Sequence, residues 1–158
     1  MNATEIHDLP YVDTHTAVVD AGADVVWRAL GDVLERSFPG RRRSGALRLL
    51  GVADRTASGP RPLAEGSTLG GFRVAAAEPP RELTLVGSHR FSSYALVFRL
   101  EEAGPARTRL RAETRARFPG PAGAVYRALV IGSGAHRAVV RRLLNSVRES
   151  APEGRGAA

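Results

Sequence analysis

The residues of this chain best suited to proton chemistry are His89, His136, Tyr94 and Tyr126. A histidine titrates near neutrality, so it can take or give a proton in general acid–base catalysis. His136 falls mid-face on a helical pattern near the C-terminus. His89 shares the parity of Leu83, Leu85 and Gly87, which turns it inward on a strand. For each histidine the competing role is structural, a hydrogen bond in the core or a place at its rim. Acid–base work follows if both histidines and Tyr94 face one cavity, and spacing alone does not bring them together. Tyr126 lies beside an apolar helical face, where its hydroxyl can aim at a ligand. Trp27, the single tryptophan, sits on an early helix and packs under the rim of a sheet or lines a portal.

Other chemistries find no residue set. There is no cysteine, which removes disulfides, thiolate metal sites and cysteine nucleophiles. No His/Asp/Glu grouping has metal-ligand spacing, and no acid pair is placed for glycoside hydrolysis. Gly132-Ser133-Gly134 lacks the preceding strand and the Lys-Ser/Thr of a phosphate loop, and Ser133 has no nucleophile-elbow context. No metal and no cofactor is expected. The run Arg41-Arg42-Arg43 is a solvated loop or an anion-attracting group at a pocket mouth.

A chain of 158 residues with a net charge of +7 fits one domain, and a domain of this size buries roughly 68–70% of its unfolded surface. All 23 basic residues are arginine, the composition of a GC-rich genome. Apart from 41–43 they are dispersed, and no aromatic platform accompanies them, so a nucleic-acid partner is not expected. No run approaches the ~18 apolar residues of a membrane span. Met1 to Pro10 has acidic residues and no apolar segment, and the expected location is the cytoplasm.

The elements that must position these side chains alternate between two periods. Tyr11 to Asp20 reads as a strand. Asp24 opens a helix with an apolar side of Val25, Val26, Trp27, Ala29 and Leu30, weakened at Gly31 and continuing to Arg36 as a second short helix. Residues 46–53 (ALRLLGVA) read as a strand and 54–66 as a long loop. Ser67 to Glu78 is a strand with a bulge or sharp bend at Gly70-Gly71. Glu82 to Ser88, Ser92 to Glu101 and Ala106 to Phe118 are three more strands. From Ala122 to Glu149 the period is helical, and Val125, Leu129, Gly132, His136, Val139, Leu143 and Val147 form one continuous face. Gly132 and Gly134 weaken this helix and offer a kink or a close approach to the sheet.

The strand Ala106 to Phe118 is the most explicit. One face is Arg107, Arg109, Arg111, Glu113, Arg115 and Arg117; the other is Thr108, Leu110, Ala112, Thr114, Ala116 and Phe118. The charged face meets water, paired with acids such as Glu82 and Glu101, or meets an anionic partner. The inner face is too small to fill a core. Tyr94, Leu96, Phe98 and Leu100 of the facing strand must reach across, or a cavity remains.

In VVDAGADVVWRALGD, GFRVAAAEPPRELTLVG, the pair YALVFRLEE and TRLRAETRARF, and the final helix, the chain resembles the START-like, or SRPBCC, superfamily with its pollen-allergen and polyketide cyclase/dehydrase branches. The resemblance spans about residues 12–148. It implies an α+β helix-grip fold, a curved antiparallel sheet wrapped around a long C-terminal helix with one or two short helices after the first strand. The domain then covers 11–149, with 1–10 and 151–158 as flexible ends. It further implies a small hydrophobic ligand (lipid, polyketide or aromatic metabolite) between sheet and helix. The ligand-binding candidates are Trp27, Phe72, His89, Tyr94, Phe98, Leu110, Tyr126 and His136, and the catalytic candidates are His136 and His89. A cyclase or aromatase using the same cavity is the alternative. An interaction module with a collapsed pocket and an arginine-rich docking face is a third reading. Either a monomer or a homodimer is compatible with the sequence.

Overall fold

The computed structural model describes residues 1, 3–38 and 56–151. Its elements are α1 (Ala3–His7), β1 (Tyr11–Val19), α2 (Ala23–Ser37), β2 (Thr68–Leu69), β3 (Phe72–Glu78), β4 (Glu82–His89), β5 (Ser92–Gly104), β6 (Arg107–Arg117), α3 (Gly120–Arg127), a π-helical turn (Ala128–Gly132) and α4 (Ala135–Ser150). The six strands form one antiparallel sheet in the order β1-β6-β5-β4-β3-β2. Helices α2 and α4 pack on its concave side, so the architecture is the expected α+β helix-grip. The strand expected over 46–53 and Arg41 to Arg43 lie outside the described residues.

Pairing fixes which side chains share a face, because directly opposed residues on neighbouring strands point the same way. On β6, Thr108, Leu110, Ala112, Thr114 and Ala116 face inward, and opposite them on β1 stand Val19, Ala17, His15 and Asp13. A register shift between Tyr11 and Asp13 sets that parity. On β5 the inward residues are Tyr94, Leu96, Phe98 and Leu100. Phe98 lies against Ala112 and Leu83, so one large ring fills the room that an alanine leaves. Phe98, Leu110, Leu30, Leu34, Val147 and their neighbours make the main core.

The structure differs from the sequence expectations in four places. Gly70-Gly71 is a two-residue hairpin turn between β2 and β3, not a bulge within one strand. Gly71 has φ +95°, a conformation that only glycine adopts without strain. Helix α2 runs unbroken through Gly31, because its apolar stripe of Val26, Ala29, Leu30, Val33 and Leu34 is buried throughout. The segment expected as a flexible N-terminus carries α1. Its Ile6 and the following Leu9 pack with Val86, Ala95 and Val97 on the convex side of the sheet. The guanidinium of Arg115 donates to the carbonyls of His7 and Leu9, and that of Arg117 to the carbonyl of Asp8.

The fourth difference is the C-terminal helix, which is two helices. Gly134 takes φ +78° and stops the π-helical turn, and α4 restarts in a new phase. Its buried stripe is Val140, Leu143, Leu144 and Val147, whereas Val125, Leu129 and Val139 of the expected continuous face are exposed. Among the described residues no helix is long and apolar enough to cross a membrane.

The charged face of β6 is paired as well as solvated. Arg99 bonds Glu82 (2.8 Å) and Glu113 (3.1 Å), Arg115 bonds Glu113 (2.6 Å), and Arg107 bonds Asp20 (2.7 Å). Glu113 is buried, which opposes its ionisation. The hydrogen bonds and charges of Arg115 and Arg99 outweigh that burial and hold its carboxyl below the ordinary value.

Candidate functional site

Towards one end of the concave face the sheet is not covered by packed side chains. Between β3–β6, the end of α2 and the α3–π-turn segment lies a cavity of about 290 Å3. Its floor is made small by Ala116, Thr114, Gly70 and Gly71, and its roof is Tyr126, Val130, Ile131 and His136. The helix break at Gly134 leaves this space open, since a straight helix in the phase of α4 would continue its aliphatic stripe over the sheet.

A train of rings lines and backs the walls, Phe91 standing behind them. Phe38 meets Phe72 edge-on at 5.0 Å between centroids, and Phe72 meets Tyr94 at 5.3 Å. His89 meets Tyr126 at 4.7 Å, and Tyr126 stacks on Phe91 at 5.9 Å. Edge-to-face contacts of this kind add to simple burial and fix ring orientations. Tyr94 is fixed twice. Its hydroxyl donates to the carbonyl of Gly71 (2.8 Å), and its ring lies over Gly87, its partner across the β4–β5 pair. A Cβ at Gly87 would collide with the Gly71 carbonyl and the Tyr94 ring, so that position requires glycine.

The polar groups divide into two sets. In the first, the Phe91 backbone N–H donates to Nδ1 of His89 (3.1 Å). That bond leaves the ring proton on Nε2, which then donates to Ser92 Oγ (3.0 Å). Burial also depresses the His89 pKa. His89 is therefore a neutral donor whose lone pair is already engaged, which unsuits it as a general base. Burial raises the Tyr126 pKa, so its phenol keeps its proton at neutrality.

The second set is at the β1 side. His136 Nε2 lies 3.0 Å from Thr114 Oγ1 and 3.5 Å from Asp13 Oδ1. The other carboxylate oxygen of Asp13 is 3.2 Å from His15 Nε2. Asp13 Oδ1 is buried and has no hydrogen-bond partner. Asp13 thus stands between two imidazoles, one of which, His136, is at the cavity. Among the described residues no group of three or more His, Asp or Glu is placed to hold a metal ion.

Of the eight residues expected to bind ligand, Phe72, His89, Tyr94, Tyr126 and His136 line this cavity. Phe98 and Leu110 do not reach it; both are fully buried in the core. Trp27 borders a different groove with Pro62 and Leu83, and packs against the core from there. Asp13 and His15 are absent from the sequence expectation. Their signal was the parity they share with Ala17 and Val19, obscured by the bulge at the start of β1. Phe38 and Phe118 also line the cavity, and each ends an element at a Pro-Gly break, where period arguments stop.

No protein-family model matches the chain, and no curated protein matches it in sequence. Solved structures do match. A conserved protein from Geobacillus kaustophilus superposes with a TM-score of 0.60 at 13% identity, over 89% of this chain and 94% of that one. The ZhuI aromatase/cyclase from Streptomyces sp. R1128 gives 0.55 at 18% identity, over 92% and 95%. DynU16, a putative protein in the dynemicin biosynthetic locus, gives 0.55 at 18% identity, over 91% of this chain and 48% of its own. Together with the six-stranded curved sheet and the C-terminal helices, these likenesses show that the chain has a helix-grip fold, which it shares with the ZhuI aromatase/cyclase.

Proposed function

We propose that the protein binds a small, mostly apolar, ring-containing molecule in the cavity between the sheet and the C-terminal helices. The observation that carries this reading is the 290 Å3 space itself, walled by Phe38, Phe72, Tyr94, Phe118 and Tyr126. Empty space of that size costs stability that a filled core would not, and its aromatic walls with a few convergent polar groups are the usual make-up of a small-molecule site. Burial of the ligand supplies the affinity at about 25 cal/mol per Å2 of apolar surface. The Tyr126 hydroxyl at the roof and the His136–Thr114 pair orient polar atoms of the ligand, while His89 is held by Phe91 and Ser92 as part of the wall. Native mass spectrometry of the protein purified from its own cells tests this. A mass excess that disappears on denaturation supports a retained ligand. No excess, with no thermal shift across a panel of lipids and aromatic polyketides, argues for an interaction module instead.

A second reading is turnover of such a molecule by a cyclase or aromatase. The approach of Asp13 to His136 at the cavity wall favours it, because a base needs a partner for the proton it takes. Replacing His136 by alanine separates the two readings: an enzyme loses turnover, whereas a carrier shows only altered affinity.

A further inference from the structure

The roof of the cavity has an outer side that ligand binding leaves unexplained. Tyr126, Val130 and Ile131 line the cavity, while Val125 and Leu129 of the same segment are 62% and 66% exposed. Four residues apart, they stand about one turn from each other on the outer side. Charge on the C-terminal helices is strongly unbalanced. They carry five arginines, Arg127, Arg137, Arg141, Arg142 and Arg148, against one acid, Glu149. All five are exposed. Among the described residues none of their guanidinium groups has an ion pair or a side-chain hydrogen bond. Four arginines of the sheet differ, since Arg99, Arg107, Arg109 and Arg115 each face a carboxylate.

We propose that the α3–π-turn segment docks the protein on an anionic lipid surface. Val125 and Leu129 enter the headgroup region, and the exposed arginines of α3 and α4 meet lipid phosphates, with their aliphatic stems along the apolar boundary. Charge complementarity requires an anionic partner. The exposed residues are aliphatic and not aromatic, which selects a bilayer over the stacking surface of a nucleic acid. A bilayer also explains why the apolar patch and the cavity share one segment: an apolar molecule passes between membrane and cavity without crossing water. Gly132 and Gly134 flank the end of this segment and provide the backbone freedom for the roof to move. This inference rests on the reading of the cavity as a site for an apolar molecule.

The test is flotation of the full chain with phosphatidylcholine vesicles that contain or lack about a third phosphatidylglycerol, the proportion being chosen to give a strongly negative surface. Binding of the neutral fluorophore N-phenyl-1-naphthylamine is measured in parallel. Wild type is expected on the anionic vesicles only, with binding reduced several-fold by high salt. Val125→Glu with Leu129→Glu is expected to lower vesicle binding at least tenfold and leave fluorophore binding unchanged, which also shows that the variant is folded. Equal recovery on both vesicle types, unaltered binding of the double variant, or retention by polyglutamate or RNA without retention by vesicles would overturn the proposal. Loss of fluorophore binding by wild type with vesicle binding intact would instead count against the cavity reading and leave the docking surface standing.

Discussion

The two ends of the concave interior are built from the same strands and have opposite fates. At one end the small inward residue of β6, Ala112, faces Phe98, and α4 closes over them with Leu143, Leu144 and Val147. At the other end Ala116 faces Tyr94, whose ring is drawn aside over Gly87 and whose hydroxyl is tied to Gly71. The helix above that end is broken, and the side chains it presents there, Val130 and Ile131 among them, roof the gap without filling it. A small residue on a strand therefore does not make a cavity by itself. A cavity forms where the facing ring is held away and the covering helix loses its phase.

Substitutions should separate the two ends. At the filled end, Phe98→Ala is expected to cost about 3–5 kcal/mol in urea denaturation, because a fully buried ring leaves an uncollapsed void. Phe72→Ala, on the cavity wall, should cost less than half of that and weaken fluorophore binding. Comparable losses at the two positions would erase the contrast.

Gly87→Ala tests whether Tyr94 is held aside by that glycine. The added methyl must push the ring or the Gly71 turn, with an expected cost of about 1–3 kcal/mol typical of overpacking. Thermal denaturation should show the loss, and the near-ultraviolet tyrosine signal should change with it. A variant as stable as wild type with an unaltered signal would show that Tyr94 is placed by other contacts.

The smallest expected effect is on pH dependence. The folded pKa of Glu113 is depressed, so its ionisation stabilises the fold above the unfolded value of 4.5, and that contribution is lost as pH falls through the lower folded value. His89 is also depressed. The unfolded chain takes up its proton first, so stability falls as pH drops below 6.5 towards the folded value. Denaturation midpoints should thus begin to decline below pH 6.5 and fall further below 4.5, and Glu113→Gln should remove part of the more acidic loss at a cost of about 1–2 kcal/mol at neutral pH. A midpoint that stays level as pH falls from neutrality through 6.5 towards 4.5 would contradict the neutral, tautomer-locked His89 at the cavity.

Much of the sheet was legible because strand parity is a local property. The alternation over Ala106 to Phe118 named every inward residue of β6, and His89 and Tyr94 followed from their neighbours. What failed depended on events that reset a period. The π-helical turn and Gly134 rephase the C-terminal helix, so a stripe that is continuous in sequence is exposed at Leu129 and Val139. The bulge before Asp13 hid the parity that places Asp13 and His15 beside His136. Gly70-Gly71 carried the signal of a bend, yet only the pairing of Thr68 with Arg73 distinguishes a hairpin from a bulge. Phe98 and Leu110 were correctly inward. Their distance from the cavity depends on where α4 lies along the strands, which parity does not encode.

The central claim is that the Tyr94–Ala116 end is a binding cavity, and filling it is the most direct test. N-phenyl-1-naphthylamine should bind wild type saturably at one site. Ala116→Phe, which places a ring in the space that Phe98 occupies at the other end, should abolish that binding and leave the unfolding midpoint close to wild type. Equal binding by both proteins, or a failure of the variant to fold, would contradict the account.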